Sequence, residues 1–473
     1  MENKKYLGID IGTTSLKAAV FDKDGNRLAL KLVDYTLDTD PVTGFIEFDA
    51  MRYVEMCKSV IHTLSLECGG IDALSIDTQG ETLIFADENG KPLCPAIVWL
   101  DNRATEEASE IEAHFGRKTV YEITGQSEVA AAWPACKLLW MQKNRPEIWA
   151  KTKKIFLLED WVLYHLTGEF VTEVTIQSSS LYCDIKNQCW WREMLDFINV
   201  GEEMLPRFVK TASLVGEYNE IKVVSGMLDQ IAGTLGCGIT DETKISEMTG
   251  TIMAICIMTD EILPYDENSM VPCHAHAIEG KYCRILCSST AGMALKWFKT
   301  ELAEKYSFKQ LDELAEKIRP GSDGLTMLPY FCGAYTPKYD PNARAVFAGV
   351  ELSHTRGHFA RAIMEAIAFN LKQNLEMADT KNLEEIRITG GGASSPLWAT
   401  IKANVTGTSL KTLAERETAC LGSALAAAVG IGDFPDMVTA SNSVVKTDKT
   451  YAPTGDDYTE AYKRYCDLDT KMY

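Results

Sequence analysis

Apolar side chains near the start of the chain come in three short runs, at 6–11, 16–21 and 27–34, with Asp24-Gly25-Asn26 marking the turn before the third. Runs of this length, bounded by turn residues, predict strands joined as hairpins. Met51, Val54, Cys57, Ile61 and Leu64 then recur at spacings of three or four, which predicts an amphipathic helix. Strands are predicted again at 73–77, 83–86 and 96–100, with Glu88-Asn89-Gly90 as a further turn. The order is hairpin-connected strands, a helix, then more strand.

Helical patterns follow at 137–149 and 160–166, with aromatic and apolar residues on one face. A second strand-rich stretch begins near Val223 and includes 244–247, 252–258 and 282–287. Helices are expected at 291–305, 308–318 and, at greater length, 356–377. A strand at 385–389 leads into a glycine turn and a helix over 396–405, and small residues dominate 421–429, which suits close helix packing. There is a loose internal echo. A Gly-Thr turn follows a strand at Gly12-Thr13-Thr14 and again at Gly250-Thr251, which suggests a phosphate-gripping hairpin on each side of a cleft.

Length sharpens this picture: 473 residues exceed one ordinary core and suit two domains. Hydrophobic residues at 46% and charged residues at 24% are ordinary for globular chains, so a packed core is expected. The 67 acidic against 47 basic residues leave a formal charge of −20, which argues against binding nucleic acid or an anionic membrane. No stretch reaches the length of a membrane span and no apolar leader is seen, so a cytoplasmic location is expected. The 14 cysteines are scattered without a C-x-x-C pair and read as reduced, mostly buried thiols. His274 and His276 alternate as on a strand, yet no third ligand stands at metal-site spacing, and zinc is not expected.

Candidate chemistry lies in two glycine-bearing turns. Gly8-Ile9-Asp10-Ile11-Gly12-Thr13-Thr14-Ser15 reads as a strand, an acidic residue and a tight polar turn. Glycine admits close approach of a phosphate, successive N–H groups and hydroxyls can donate to it, and Asp10 at the strand end can hold hydrated Mg²⁺. An ordinary hairpin turn has the same signature. Gly390-Gly391-Gly392-Ala393-Ser394-Ser395-Pro396 follows a predicted strand and opens a predicted helix, whose N-terminus is a natural anion site; a flexible linker is the bland reading. Neither segment is a Walker A loop or a Rossmann fingerprint.

With Gly250-Thr251 between them, these segments resemble the phosphate and adenosine motifs of the FGGY carbohydrate kinase family, within the actin-like ATPase superfamily. The family's first signature is matched by Pro134, Lys137, Leu138, Trp140, Met141, Lys143 and Asn144, with Ala132 where a larger residue or glycine is usual. Its second is matched at Ala345 to Val350, His358-Phe359 and Ala362 to Glu365. The likeness covers nearly the whole chain. It implies an α/β fold of two actin-like (ribonuclease H-like) domains, with mixed central sheets flanking a deep cleft, divided here into 1–243 and 244–473.

The resemblance also assigns roles. Asp229, in Ser225-Gly226-Met227-Leu228-Asp229-Gln230, falls on the catalytic aspartate, with Met227-Leu228 where the family usually has more glycine. Phosphoryl transfer to a hydroxyl calls for one carboxylate within reach of the attacking oxygen. Gln79, Gly80 and Glu81 fall on the recognition segment. Gln79 and Glu81 fit a glycerol-kinase-like pattern whose arginine is replaced by Gly80, and xylulose kinases carry Met and His at 80 and 81. Asp101 and Gln230 complete the expected substrate set, although a salt bridge from Asp101 to Arg103 that shapes a loop is an equal reading. ATP is assigned to Gly12, Thr13, Thr14, Gly250, Thr251, Gly391, Gly392, Ala393 and Ser395, and Mg²⁺ to Asp10. The implied activity is transfer of the γ-phosphate of ATP to a ketose, first among them a pentulose. A glycerol- or erythritol-type polyol kinase is the alternative within the class, and an ATP-driven switch or an inactive sugar-binding relic the alternatives outside it. The expected partner is a small sugar or polyol, with a homodimer left open.

Overall fold

The computed structural model describes residues 4–267, 271–380 and 382–473. Its first strand, Lys5–Ile11, is buried almost throughout, as expected of a central strand covered on both faces. It pairs antiparallel with Ser15–Asp22 and parallel with Ala73–Thr78, so the hairpin lies on one side and the strand after the helix on the other. The full sheet runs Leu214–Tyr218, Ile221–Val224, Ala73–Thr78, Lys5–Ile11, Ser15–Asp22, Arg27–Asp34, with Met227–Leu228 also paired to Ala73–Thr78.

The second half repeats this plan. Lys244–Thr249 pairs antiparallel with Met253–Thr259 and parallel with Glu385–Thr389, inside a sheet that continues through Tyr282–Ser288 to Cys273–Ala275 on one side and Ser409–Leu413 to Thr447–Tyr451 on the other. Both Gly-Thr turns therefore join the first and second strands of a mixed sheet. This is the architecture the resemblance implies.

Two helices cross between the sheets, Asp229–Gly236 and Thr418–Gly430. Their approach depends on absent side chains. A Cβ on Gly236 would stand 1.8 Å from the Thr418 carbonyl oxygen, one on Gly422 2.0 Å from that of Ala232, and one on Gly8 1.8 Å from that of Cys420. Helix Thr418–Gly430 thus lies against the first sheet although it comes late in the chain. Its Cys420, Leu421, Ala424 and Ala427 form one cluster with Tyr6, Ala19, Phe21 and Ala73.

Several elements differ from expectation for local reasons. The helix expected at 137–149 is Pro134–Asn144 followed by a short turn Pro146–Trp149, because Arg145, preceding a proline, leaves the helical region (φ −138°, ψ 53°). The strand expected at 96–100 is only Ala96–Ile97, since the chain turns as Asp101 N–H bonds the Val98 carbonyl. The helix expected at 291–305 is Gly292–Glu301. Among the described residues no helix is long and apolar enough to cross a membrane, and all fourteen cysteines are free.

Candidate active site

Asp229 is the first residue of its helix and follows the two-residue strand Met227–Leu228. That strand is held tightly: a Cβ on Gly226 would stand 1.5 Å from the Ile76 carbonyl oxygen, Gly226 N–H donates to Glu159 at 2.7 Å, and Leu228 N–H donates to the Thr175 hydroxyl at 2.9 Å. Glu173 in turn accepts from the Thr175 hydroxyl and the Thr211 hydroxyl, each at 2.6 Å. Glu159, Asp160 and Glu173 are wholly buried, so carboxyls lie beneath the segment that presents Asp229. Burial pushes Asp160 up to about 8 against its hydrogen bonds. Asp229 itself is pushed up to about 8, by burial first and by repulsion from Asp10 second, while Gln230 N–H at 2.6 Å works the other way.

A cavity of about 380 Å³ opens beside Asp229 and is lined by Thr13, Gln79, Gly80, Glu81, Asp229 and Gln230, together with Trp99, Trp133, His274 and Tyr335. Residues more than two hundred positions apart meet here. Gln79 to Glu81 arrive at the end of the buried strand Ala73–Thr78, and Glu81 takes a left-handed backbone (φ 57°), an uncommon conformation for a non-glycine residue. Gly80 is tight as well. A Cβ there would stand 3.1 Å from Leu228 Cδ1, so a side chain at this position would press on the end of the Leu228 side chain, next to Asp229. Burial raises Glu81, opposed by Ser179 and by Lys137. Lys137 is itself fully buried, donates to the Val98 carbonyl at 3.0 Å, and is pushed down to about 7 by burial against the pull of Asp101 and Glu81.

Asp101 departs from the expected set. Its carboxylate accepts from Arg103 Nε and Nη2, both at 2.8 Å, and from Ile46 N–H at 2.6 Å, and Asp101 is not among the residues lining the cavity. The loop-shaping reading describes it. Ser395 is engaged too, its hydroxyl accepting from Trp398 N–H at 3.1 Å as a helix N-cap.

Around the first turn, Gly12 N–H bonds the Ser15 carbonyl at 3.0 Å, the Thr13 hydroxyl accepts from Trp99 Nε1 at 3.0 Å, and Thr14 is exposed. Asp10 is raised to about 6 by burial, partly offset by Lys17 and by a hydrogen bond with Asp77. Asp77 occupies the register position opposite Asp10, is fully buried, and accepts from the Ser423 hydroxyl at 2.6 Å. Lys17 stands 2.8 Å from Glu417. Sequence reasoning did not single out Asp77 or Lys17, and only the strand register, which sets Asp77 against Asp10, would have flagged the former.

In the second half the turns come together. A Cβ on Gly390 would meet the Thr249 carbonyl oxygen at 2.6 Å and one on Gly392 the Thr249 Cγ2 at 2.5 Å, whereas one on Gly391 would have open space. Gly292 N–H donates to the Gly250 carbonyl at 2.9 Å. Beneath them, Lys402 Nζ reaches both oxygens of Glu247 at 2.9 Å and the Thr249 hydroxyl at 2.6 Å, with the two charged side chains 2% and 0% exposed. A second cavity, also about 380 Å³, is lined by Gly390, Gly391, Ala393, Lys17 and Glu417, and so touches both halves.

Comparison with known proteins agrees with the two-part fold. Residues 5–248 match the model of the FGGY family of carbohydrate kinases, N-terminal domain, and residues 273–431 that of its C-terminal domain. The chain is 31% identical over 457 residues to a xylulose kinase of Lactococcus lactis, with 93% of this chain and 90% of the relative covered. It is 27% identical over 475 residues to a gluconokinase of Bacillus subtilis, covering 93% and 90%. Among solved structures, a ligand-bound xylulose kinase from Lactobacillus acidophilus superposes with a TM-score of 0.92 at 24% identity, over 99% of this chain and 98% of that one, a likeness of fold.

Proposed function

The chain belongs to the FGGY family of carbohydrate kinases, and from that premise we propose that it transfers the γ-phosphate of ATP to a hydroxyl of a ketose, a pentulose in the first instance. ATP-dependent sugar kinase activity follows from the family and from full-length kinase relatives. The observation that carries the finer reading is that Asp229, the recognition segment Gln79–Glu81 and Thr13 of the first phosphate turn line one cavity. In this reading a base, hydroxyl-binding groups and a phosphate grip surround one volume.

Asp229 acts in this reading as the general base. A hydroxyl bound between Asp229 and Gln230 loses its proton to the Asp229 carboxylate as the phosphoryl group transfers, and a pKa raised to about 8 makes that carboxylate, once ionised, a stronger acceptor. Gln79 and Glu81 orient the remaining hydroxyls, Glu81 as acceptor and Gln79 as acceptor or donor. The nucleotide phosphates lie against the Gly12–Thr14 and Gly250–Thr251 turns, and the adenosine against Gly391, Gly392 and Ala393. Open space over Gly391 leaves its backbone approachable. Asp10 fits a hydrated Mg²⁺, being a carboxylate held up by burial that a cation would relieve. When bound, that ion supplies charge neutralisation at the phosphates.

We place the division of lobes near residue 243, between the Asp229–Gly236 helix and the strand Lys244–Thr249 that opens the second sheet. The free cysteines fit a reducing compartment, and the cytoplasm is the proposed location. The deciding experiment is release of ADP, measured by a coupled assay over pentuloses, hexuloses, tetruloses, glycerol and gluconate. Turnover stimulated by a pentulose is the expected result. Equal hydrolysis with and without sugar would replace the kinase by a switch, no turnover at all would indicate a relic, and stimulation by glycerol alone would move the assignment to polyols.

A further inference from the structure

The cavity beside Asp229 carries an electrostatic bias that the motifs do not predict. Three of its lining residues, Glu81, Glu128 and Asp229, are carboxylic acids, and among the described residues that line it none is lysine or arginine. Lys137, behind Glu81, is buried and turned onto the Val98 carbonyl, and Arg117 pulls on Glu128 from outside the lining. His274 is held neutral, since burial pushes it down to about 4. An anion entering this volume meets carboxyl groups and neutral dipoles and no lining cation.

Glu128 is the carboxylate that no motif accounts for. It is set on its loop by Trp133 Nε1, which donates to the Glu128 carbonyl at 3.0 Å, and its side chain accepts from the Tyr335 hydroxyl at 3.0 Å. Tyr335 comes from the other half of the chain and is 39% exposed, so this contact lies at the rim of the cavity. Its loop is pinned by Thr336, whose hydroxyl donates to the Cys287 carbonyl at 2.7 Å and whose carbonyl accepts from Asn374 at 3.3 Å. Both ends of the bridge are therefore anchored, each in a different half.

We infer that Glu128 and Tyr335 are specificity-determining residues: bonded across the cleft, they form the outer wall of the acceptor pocket and restrict it to uncharged sugars and polyols, excluding sugar acids. The inference rests on the reading of this cavity as the acceptor site. The Glu128 carboxylate has a free acceptor oxygen for a hydroxyl at the far end of a neutral acceptor and repels a carboxylate placed there. The Tyr335 hydroxyl keeps Glu128 in that position.

The test compares wild type with Glu128→Gln, Glu128→Arg and Tyr335→Phe, using the best neutral acceptor of the panel and gluconate as the anionic probe. Wild type is expected to prefer the neutral acceptor at least a hundredfold in kcat/KM. Glu128→Gln and Tyr335→Phe should each raise the acceptor KM about tenfold with the ATP KM unchanged, and Glu128→Arg should narrow the preference over gluconate at least tenfold. A merely structural bridge would instead lower the melting temperature and disturb both KM values alike. Comparable wild-type turnover of gluconate overturns the inference, as do acceptor KM values within twofold of wild type in both conservative variants. Glu81→Ala separates the two levels: if it raises the acceptor KM while the Glu128 and Tyr335 variants do not, the acceptor site stands and this inference falls. If Glu81→Ala has no effect either, or no acceptor supports turnover, both fall.

Discussion

Replacing Lys402 with methionine tests whether the buried pair beneath the two second-half turns supports them. Methionine keeps most of the volume and removes the cation, leaving Glu247, 0% exposed, with the Thr249 hydroxyl as its remaining side-chain partner. Breaking a buried ion pair on one side costs about 3–5 kcal/mol, because the abandoned charge stays desolvated. At roughly 2–4 °C per kcal/mol for a lobe of this size, the apparent melting temperature should fall by about 6–20 °C. The damage should also reach the nucleotide. Thr249 loses the 2.6 Å contact from Lys402, and its carbonyl and methyl are the surfaces on which Gly390 and Gly392 rest, so the ATP KM should rise while the sugar KM stays near wild type. Glu247→Leu combined with Lys402→Met removes both charges and should recover most of the stability. It should not recover the ATP KM, since the polar tether to Thr249 is still missing. Thermal melts with initial-rate kinetics on the three variants decide the matter. A single variant melting within about 2 °C of wild type, or a double variant less stable than the single, would refute the reasoning.

Asp229→Asn keeps size and hydrogen bonding but removes basicity, so kcat should fall by about 10²- to 10⁴-fold with sugar and ATP binding largely retained; a folded variant keeping more than about a tenth of wild-type kcat would exclude Asp229 as the base. Glu81→Ala should raise the sugar KM or lower kcat/KM with the ATP KM nearly untouched, read from initial rates, whereas equal loss for both substrates with a lowered melting temperature would make Glu81 structural. Asp160 bears on pH. Its folded pKa of about 8 lies above the unfolded value near 4, so its contribution to stability is complete below about pH 4 and is lost as pH rises through about 8. Urea midpoints measured from pH 6 to 8.5 should therefore decline less steeply in Asp160→Asn than in wild type, and parallel curves would contradict the buried-carboxyl account.

Much of the fold was legible because it is local. The central strands, the Met51 to Leu64 stripe and the small residues at 421–429 each carry their own period or composition, and each is found where expected. The misjudged elements have equally local causes, such as the Arg145-Pro146 step that ends a helix early. The site was legible only where chemistry coincides with a motif. Asp229, Thr13 and Gln79 to Glu81 do line one cavity, while Asp101, which sits in a family-like motif, spends its carboxylate on Arg103 and Ile46. Glu128 and Tyr335, 207 residues apart, or Lys402 and Glu247, 155 apart, leave no signal along the chain, because their meaning arises only when two sheets and their loops are brought together.

The crossing of helix Thr418–Gly430 onto the first sheet bears on how the chain can be divided. A fragment ending near residue 243 would possess every strand of its sheet yet lack the cover over Tyr6, Ala19, Phe21 and Ala73 that Cys420, Leu421 and Ala424 supply. It would expose an apolar floor and a row of glycines shaped to receive a backbone that is not there. The first half carries its own cluster between Leu7 and Val223, but this second face of its sheet is covered by the late helix. A chain cut between the two halves is therefore expected to leave that face of the first sheet uncovered until helix Thr418–Gly430 is supplied by the other piece.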